Sequence, residues 1–275
     1  MIGQFLLAFR EGLEAALIIA IILTYLVRTG KEPMAKYVLY GLFNAVAVSI
    51  VIGASIWMLY GALPNTVQVL FEGSVALLAV IVLTSMIYWM ATKGKEIRAH
   101  VERSVENIAT LGARLALVSF SFIVVFREGL ETVLFLTPFL VSEALPTLIG
   151  GSLGILASLT LAYTMFLIGM KIDVHRFFYF TSILLVFLAG GLAGYGVHEL
   201  IEYAKLSGIN LGWIAENAYN LNIPSGSIFH HKGAIGSIFA VMFGYTVEAE
   251  WGKLIVHIAY LAVVLPLVLR VFRRR

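Results

Sequence analysis

Residues 9–14 read Phe9-Arg10-Glu11-Gly12-Leu13-Glu14, and residues 126–131 repeat the same six letters as Phe126-Arg127-Glu128-Gly129-Leu130-Glu131. Each copy lies inside a long apolar run, residues 4–27 (QFLLAFREGLEAALIIAIILTYLV) and residues 115–141 (LALVSFSFIVVFREGLETVLFLTPFLV). An α-helix needs roughly 20 mostly apolar residues to cross a bilayer. Five further stretches have that length and character: 37–60, 67–91, 147–170, 177–203 and 254–272. The sequence therefore predicts an all-α, polytopic membrane protein with seven transmembrane helices. The first run has no basic segment before it and carries Arg10, Glu11 and Glu14 inside it, so it reads as a permanent helix rather than a cleaved leader.

The composition agrees. Of the 275 residues, 60% are hydrophobic and only 13% charged, where soluble domains run near 45–50% and 25%. The mean hydropathy is +0.95. A disordered regulator, a nucleic-acid binder and a secreted disulfide scaffold are excluded, and the absence of cysteine removes thiolate chemistry and thiolate metal sites.

The net charge of +3 and pI of about 9.0 are explained by where the cations lie. Fourteen of the nineteen lysines and arginines fall in the connections after the first, third and fifth spans and in the C-terminal tail. By the positive-inside rule this predicts an external N-terminus and a cytoplasmic C-terminus. Residues 93–114 mix acids and bases at helical spacing and read as a solvated cytoplasmic helix extending the third span. Residues 204–253 read as an external loop, with the apolar piece Gly233 to Tyr245 half-inserted or lying on the surface. The expected organisation is one permease domain: repeat one 1–91, cytoplasmic linker 92–114, repeat two 115–203, external loop 204–253 and helix seven 254–275.

The doubled hexapeptide stands in the first and fourth spans, which implies duplication of a three-helix unit. Three is odd, so the second copy enters the membrane from the opposite side. The result is a 3+3 inverted repeat plus a C-terminal helix, an arrangement that in many transporters sets the substrate site near the midplane. Residues three and four apart share a helix face, so Glu11 projects with Glu14, and Glu128 with Glu131; Arg10 and Arg127 lie one turn from the second acid of each copy. Gly12 and Gly129 put no side chain between the acids and permit close approach of a neighbouring helix. Four glutamates against two arginines leave an excess of two negative charges if the copies meet. Ion pairs that merely pin a bundle would balance, and charges placed in hydrocarbon mark ion or substrate paths by default. All-oxygen ligands favour magnesium, calcium, manganese or ferric iron over soft metals.

Two intramembrane Arg-Glu-Gly-Leu-Glu motifs, in the first and fourth of seven helices, resemble the high-affinity iron permease family, the oxidase-dependent iron transporters of fungi and bacteria. The resemblance extends through Trp89-Met90, His198-Glu199 and Gly233 to Tyr245, and so along nearly the whole chain. It implies a permease of the inner or plasma membrane that imports ferric iron, with Glu11, Glu14, Glu128 and Glu131 as metal ligands and Arg10 and Arg127 as charge partners. Iron is then cargo, and no cofactor is implied. The resemblance also implies a separate ferroxidase or extracytoplasmic iron-binding partner, since the chain has no room for an extra domain. It allows a homo-oligomer. The family includes members assigned to lead uptake, so a permease for lead, manganese or ferrous iron is the alternative reading. A sensor or structural subunit that binds metal without moving it is a further rival.

Other polar residues carry weaker expectations. Glu72 in the third span, and His198, Glu199 and Glu202 at the end of the sixth, are candidates for ion capture or a proton relay, with a solvated helix end as the alternative. His198-Glu199-Leu200-Ile201-Glu202 lacks the second histidine of the zinc protease signature, which argues against an intramembrane hydrolase. His230 and His231 read as a polar loop pair, Asp173, His175 and Arg176 as a cytoplasmic turn, and His257 as packing. Trp57, Tyr60, Tyr88 and Trp89 fit an interfacial aromatic belt.

Overall fold

The computed structural model describes residues 1–93, 97–110, 112–168, 174–224, 226–230, 233, 235, 236, 239, 240 and 244–273. Each of the seven apolar runs is one helix: α1 (Ile2–Arg28), α2 (Ala35–Gly61), α3 (Asn65–Lys93), α5 (Arg114–Ser142), α6 (Ala144–Ile168), α7 (Val174–Leu206) and α8 (Trp251–Arg273). A shorter helix, α4 (Ile97–Thr110), stands between α3 and α5. The breaks follow backbone chemistry. Gly30, Gly112 and Gly208 take positive φ just after α1, α4 and α7, where a Cβ would be strained. Pro33 opens a single 3-10 turn before α2, and Pro64 precedes α3.

Five of the helices, α2, α3, α6, α7 and α8, are long and apolar enough to cross a membrane. α1 and α5 have the length, at 27 and 29 residues, but at least three charged residues fall in every 18-residue stretch of each. Large apolar side chains face outward along these helices, among them Phe43, Ile50, Ile81, Leu153 and Ile258. In water that surface would be unfavourable, so the chain is a multi-pass membrane protein.

Contacts divide the chain into two compact units, residues 1, 3–58 and 93–173, and residues 2, 59–92 and 174–275. In the first, Ile22, Leu26, Val38, Ala45, Leu117 and Val125 form a buried core, and Val101 and Val105 of α4 insert into it. α4 thus buries one face instead of being solvated all round, and residues 94–96 between it and α3 lie outside the described residues. Its helix crossings come in matched pairs. Gly12 of α1 sits against Ser158 of α6, and Gly129 of α5 against Ser49 of α2. Gly150 of α6 faces Met1 and Gln4 of α1, and Gly41 of α2 faces Val118 and Ser121 of α5. Each motif helix therefore packs on a helix next in sequence to the other motif helix, α1 on α6 and α5 on α2.

In the second unit α3 and α7 cross at Gly73 and Gly196: a Cβ on either would lie 3.0–3.1 Å from the carbonyl oxygen of the other. Thr84 of α3 and Tyr260 of α8 share a hydrogen bond of 2.7 Å. The segment after α7 folds into a 3-10 turn (Gly212–Ala215) and a two-stranded antiparallel sheet, β1 (Asn217–Asn220) with β2 (Glu248–Glu250), a small strand element that the sequence reading missed. Asp173, His231 and much of the run from Gly233 to Tyr245 lie outside the described residues, as do the side chains of His175 and Arg176.

Candidate metal centre

The two hexapeptides lie in the first unit, at mid-length in α1 and α5. Their glycines set the geometry. A Cβ on Gly12 would come 2.5 Å from Ser158 Oγ, and one on Gly129 would come 2.9 Å from Ser49 Cβ, so each motif helix presses onto a serine where its acids project. Glu11, Glu14 and Glu128 are buried, at 0%, 6% and 4% exposure, and the Glu131 side chain is 15% exposed.

One carboxylate oxygen each from Glu11, Glu128 and Glu131 converge within 4.8 Å of one another, the spacing of ligands around one cation. In each of the three, Oε2 is buried without a hydrogen-bond partner. Such an oxygen ordinarily costs about 1–3 kcal/mol, more when charged. Glu14 is held differently: its Oε1 is 2.6 Å from Arg10 Nη2, while Arg10 Nη1 donates to Glu11 Oε1 at 2.5 Å. In the other motif Arg127 Nε donates to Glu131 Oε1 at 2.9 Å and stands 3.8 Å from Glu128 Oε1. Arg10 is 2% exposed, and Arg127 48%. The structure therefore brings together three of the four expected acids, and places the fourth on its arginine.

The second set of candidates divides. In the second unit, the α3/α7 crossing sets Glu72 beside Tyr195, and Glu72 accepts hydrogen bonds from the hydroxyls of Tyr60 and Tyr195. Tyr60 thus bonds a partly buried acid rather than serving only as a belt residue. Glu199, 8% exposed, lies in electrostatic contact with Glu72 and Tyr195. His198 stands between two other acids: its Nδ1 is 2.9 Å from Oε1 of Glu250 in β2, and its Nε2 is 3.9 Å from Glu202 Oε2. Lys205 Nζ stands 3.7 Å from Glu250. Burial raises the Glu250 carboxyl, but the hydrogen bond and charge of His198, with smaller help from a backbone N–H and Lys205, bring it down to about 2. His257 packs against Gly244, as expected of a packing residue.

Sequence reasoning missed Glu250, Tyr195, Ser49 and Ser158. Glu250 ends a three-residue strand inside a segment read from the sequence as an external loop. The serines were legible only as small residues, because their partners are remote in the chain.

A multi-pass helical protein with a buried carboxylate cluster on two copies of one motif has the features of a membrane permease for a cation. The chain belongs to the iron permease FTR1 family, whose description it matches over residues 1–271. By family it is a transporter, with iron as its substrate. It is 43% identical over 274 residues to a protein of Archaeoglobus fulgidus with no assigned role, across all of this chain and 96% of that one. It is 32% identical over 264 residues to the ferrous iron permease EfeU of Yersinia pestis, covering 95% of this chain and 90% of the relative. The ferrous iron permease EfeU of Escherichia coli is 30% identical over 264 residues, covering 95% and 92%. No solved structure matches the chain.

Proposed function

We propose that the protein imports ferrous iron, and that Glu11, Glu128 and Glu131 are the residues that bind it in transit. The observation carrying this reading is the convergence of three carboxylates, each with a buried oxygen lacking a hydrogen-bond partner. Fully ionised, the four motif glutamates and two arginines leave two negative charges in a low-dielectric setting. A divalent ion neutralises that excess and a trivalent one overshoots it, which favours ferrous iron over the ferric ion that the sequence resemblance implied. The relatives' names point the same way. Glu14 holds Arg10 and joins the ligand set when Arg10 moves.

The matched crossings of α1 with α6 and of α5 with α2 support a 3+3 inverted repeat, and the distribution of lysine and arginine supports an external N-terminus and a cytoplasmic C-terminus in a cell-membrane protein. Rocking of the paired elements about the serine–glycine contacts would expose the cluster to each side in turn. Arg10 and Arg127 would compensate the acids as the ion leaves.

The test is anaerobic uptake of radiolabelled ferrous iron by proteoliposomes of the purified full chain, with ferric, manganous and lead ions as competitors. Saturable ferrous uptake that Glu11→Gln abolishes supports the reading. Preferential uptake of another ion, or full uptake by Glu11→Gln, overturns it.

A further inference from the structure

Gln4 is 3% exposed and lies on α1 seven residues before Glu11, two helical turns away on the same face. Its Nε2 donates to Thr147 Oγ1 of α6 at 3.5 Å, the limit of a hydrogen bond, and Thr147 is 2% exposed. Gln4 Oε1 is buried with no partner. Among the described residues it stands with Oε2 of Glu11, Glu128 and Glu131, and with Oε1 of Glu14, which has its ion pair to Arg10. The packing around it is built closely. A Cβ on Gly150 would lie 2.7 Å from Met1 O and 3.3 Å from Gln4 Cβ, so α6 meets α1 at this point and carries Thr147 to the amide.

The other half of the unit shows that the fold does not require this arrangement. At the matching crossing Gly41 faces Ser121, whose hydroxyl donates to Leu117 O at 2.8 Å and has no unmet oxygen. The same helix crossing is thus made once with a satisfied serine and once with an orphaned amide. Packing alone explains the first and not the second.

We infer that Gln4 Oε1, its amide held in place through the Nε2–H bond to Thr147 Oγ1, supplies a neutral-oxygen subsite for the divalent cation on the N-terminal approach to the glutamate cluster. The inference rests on the transport reading above. Neutral oxygens replace part of a cation's water shell without the deep binding a carboxylate would impose, so an ion held here can move on to Glu11. Glu143, exposed and one turn before Thr147 on the chain, stands at the N-terminal end of this approach in electrostatic contact with the Met1 ammonium.

The experiment is concentration-dependent ferrous uptake by proteoliposomes of the full chain carrying Gln4→Met or Thr147→Val, with thermal unfolding of each in detergent. Gln4→Met conserves volume and removes the orphaned oxygen, so a merely structural Gln4 predicts equal or higher stability with KM and Vmax unchanged. The subsite predicts equal or higher stability with KM raised about tenfold, the worth of one lost neutral ligand, and Vmax lowered much less. Thr147→Val should raise KM several-fold in the same direction, and it reads the proposal independently if Gln4→Met fails to fold. Unchanged KM in both variants, as expected were the amide to bind only a buried water, overturns the subsite while wild-type uptake and its loss in Glu11→Gln leave the transport reading standing. Absence of wild-type uptake overturns both.

Discussion

Arg10 and Arg127 hold the same place in two copies of one hexapeptide, yet Arg10 is 2% exposed and bonded to both glutamates of its own motif, while Arg127 is 48% exposed and hydrogen-bonded to Glu131. Identical local sequence meets different surroundings. Removing one partner of a buried ion pair strands the other charge, at about 3–5 kcal/mol, whereas half-exposed pairs contribute roughly 0–1 kcal/mol. Arg10→Met is expected to lower the unfolding temperature in detergent far more than Arg127→Met does. Equal losses would show that the two arginines are equivalent in the folded protein.

The three converging acids and Glu14 should separate kinetically. Glu11→Gln, Glu128→Gln and Glu131→Gln each remove a charged ligand, worth about 3 kcal/mol or roughly a hundredfold in ion affinity. Glu14→Gln first frees Arg10, so its main effect should fall on stability and on Vmax. Isothermal titration with ferrous or manganous ion under anaerobic conditions measures the affinities.

Gly12 and Gly129 have neighbours where a methyl group would go. Gly12→Ala would overlap Ser158, and Gly129→Ala would overlap Ser49, each with an expected cost of about 1–3 kcal/mol. Pairing Gly12→Ala with Ser158→Gly, or Gly129→Ala with Ser49→Gly, restores the space. A double-mutant cycle on unfolding temperature should show most of the loss recovered, and additive losses would contradict the close contact.

Glu250 gives a pH dependence of known sign. Its carboxyl lies at about 2 in the folded protein, below the ordinary glutamate value of about 4.3. The contribution is therefore complete above the ordinary value and is lost as pH falls through it toward 2. Hydrogen exchange in β1 and β2 is expected to accelerate across that window in the wild type. In Glu250→Gln exchange should already be fast at neutral pH and should change little on acidification.

Tyr60 and Tyr195 both donate to Glu72. Tyr195→Phe removes the donor to one oxygen of the partly buried Glu72, at about 1 kcal/mol, and should lower the unfolding temperature more than replacement of the exposed Tyr88 by Phe. Equal unfolding temperatures would place the Tyr195 hydroxyl outside the stabilising network.

The sequence by itself determined the seven long helices, because unbroken apolar runs and the glycines and prolines that end them are local properties. It also determined that charge sits where charge is costly: a doubled Arg-Glu-Gly-Leu-Glu inside apolar runs is visible without any partner. Tertiary structure alone decided which acids meet. Helical spacing puts Glu11 beside Glu14, but the rotation of α1 against α5 and the glycine–serine crossings join Glu11 to Glu128 and Glu131, and leave Glu14 on Arg10. The same holds for Tyr195 on Glu72, Glu250 on His198 and the orphaned amide of Gln4. Each depends on a contact between residues far apart in the chain, set by how closely two helices approach, and spacing along one helix carries no information about that distance.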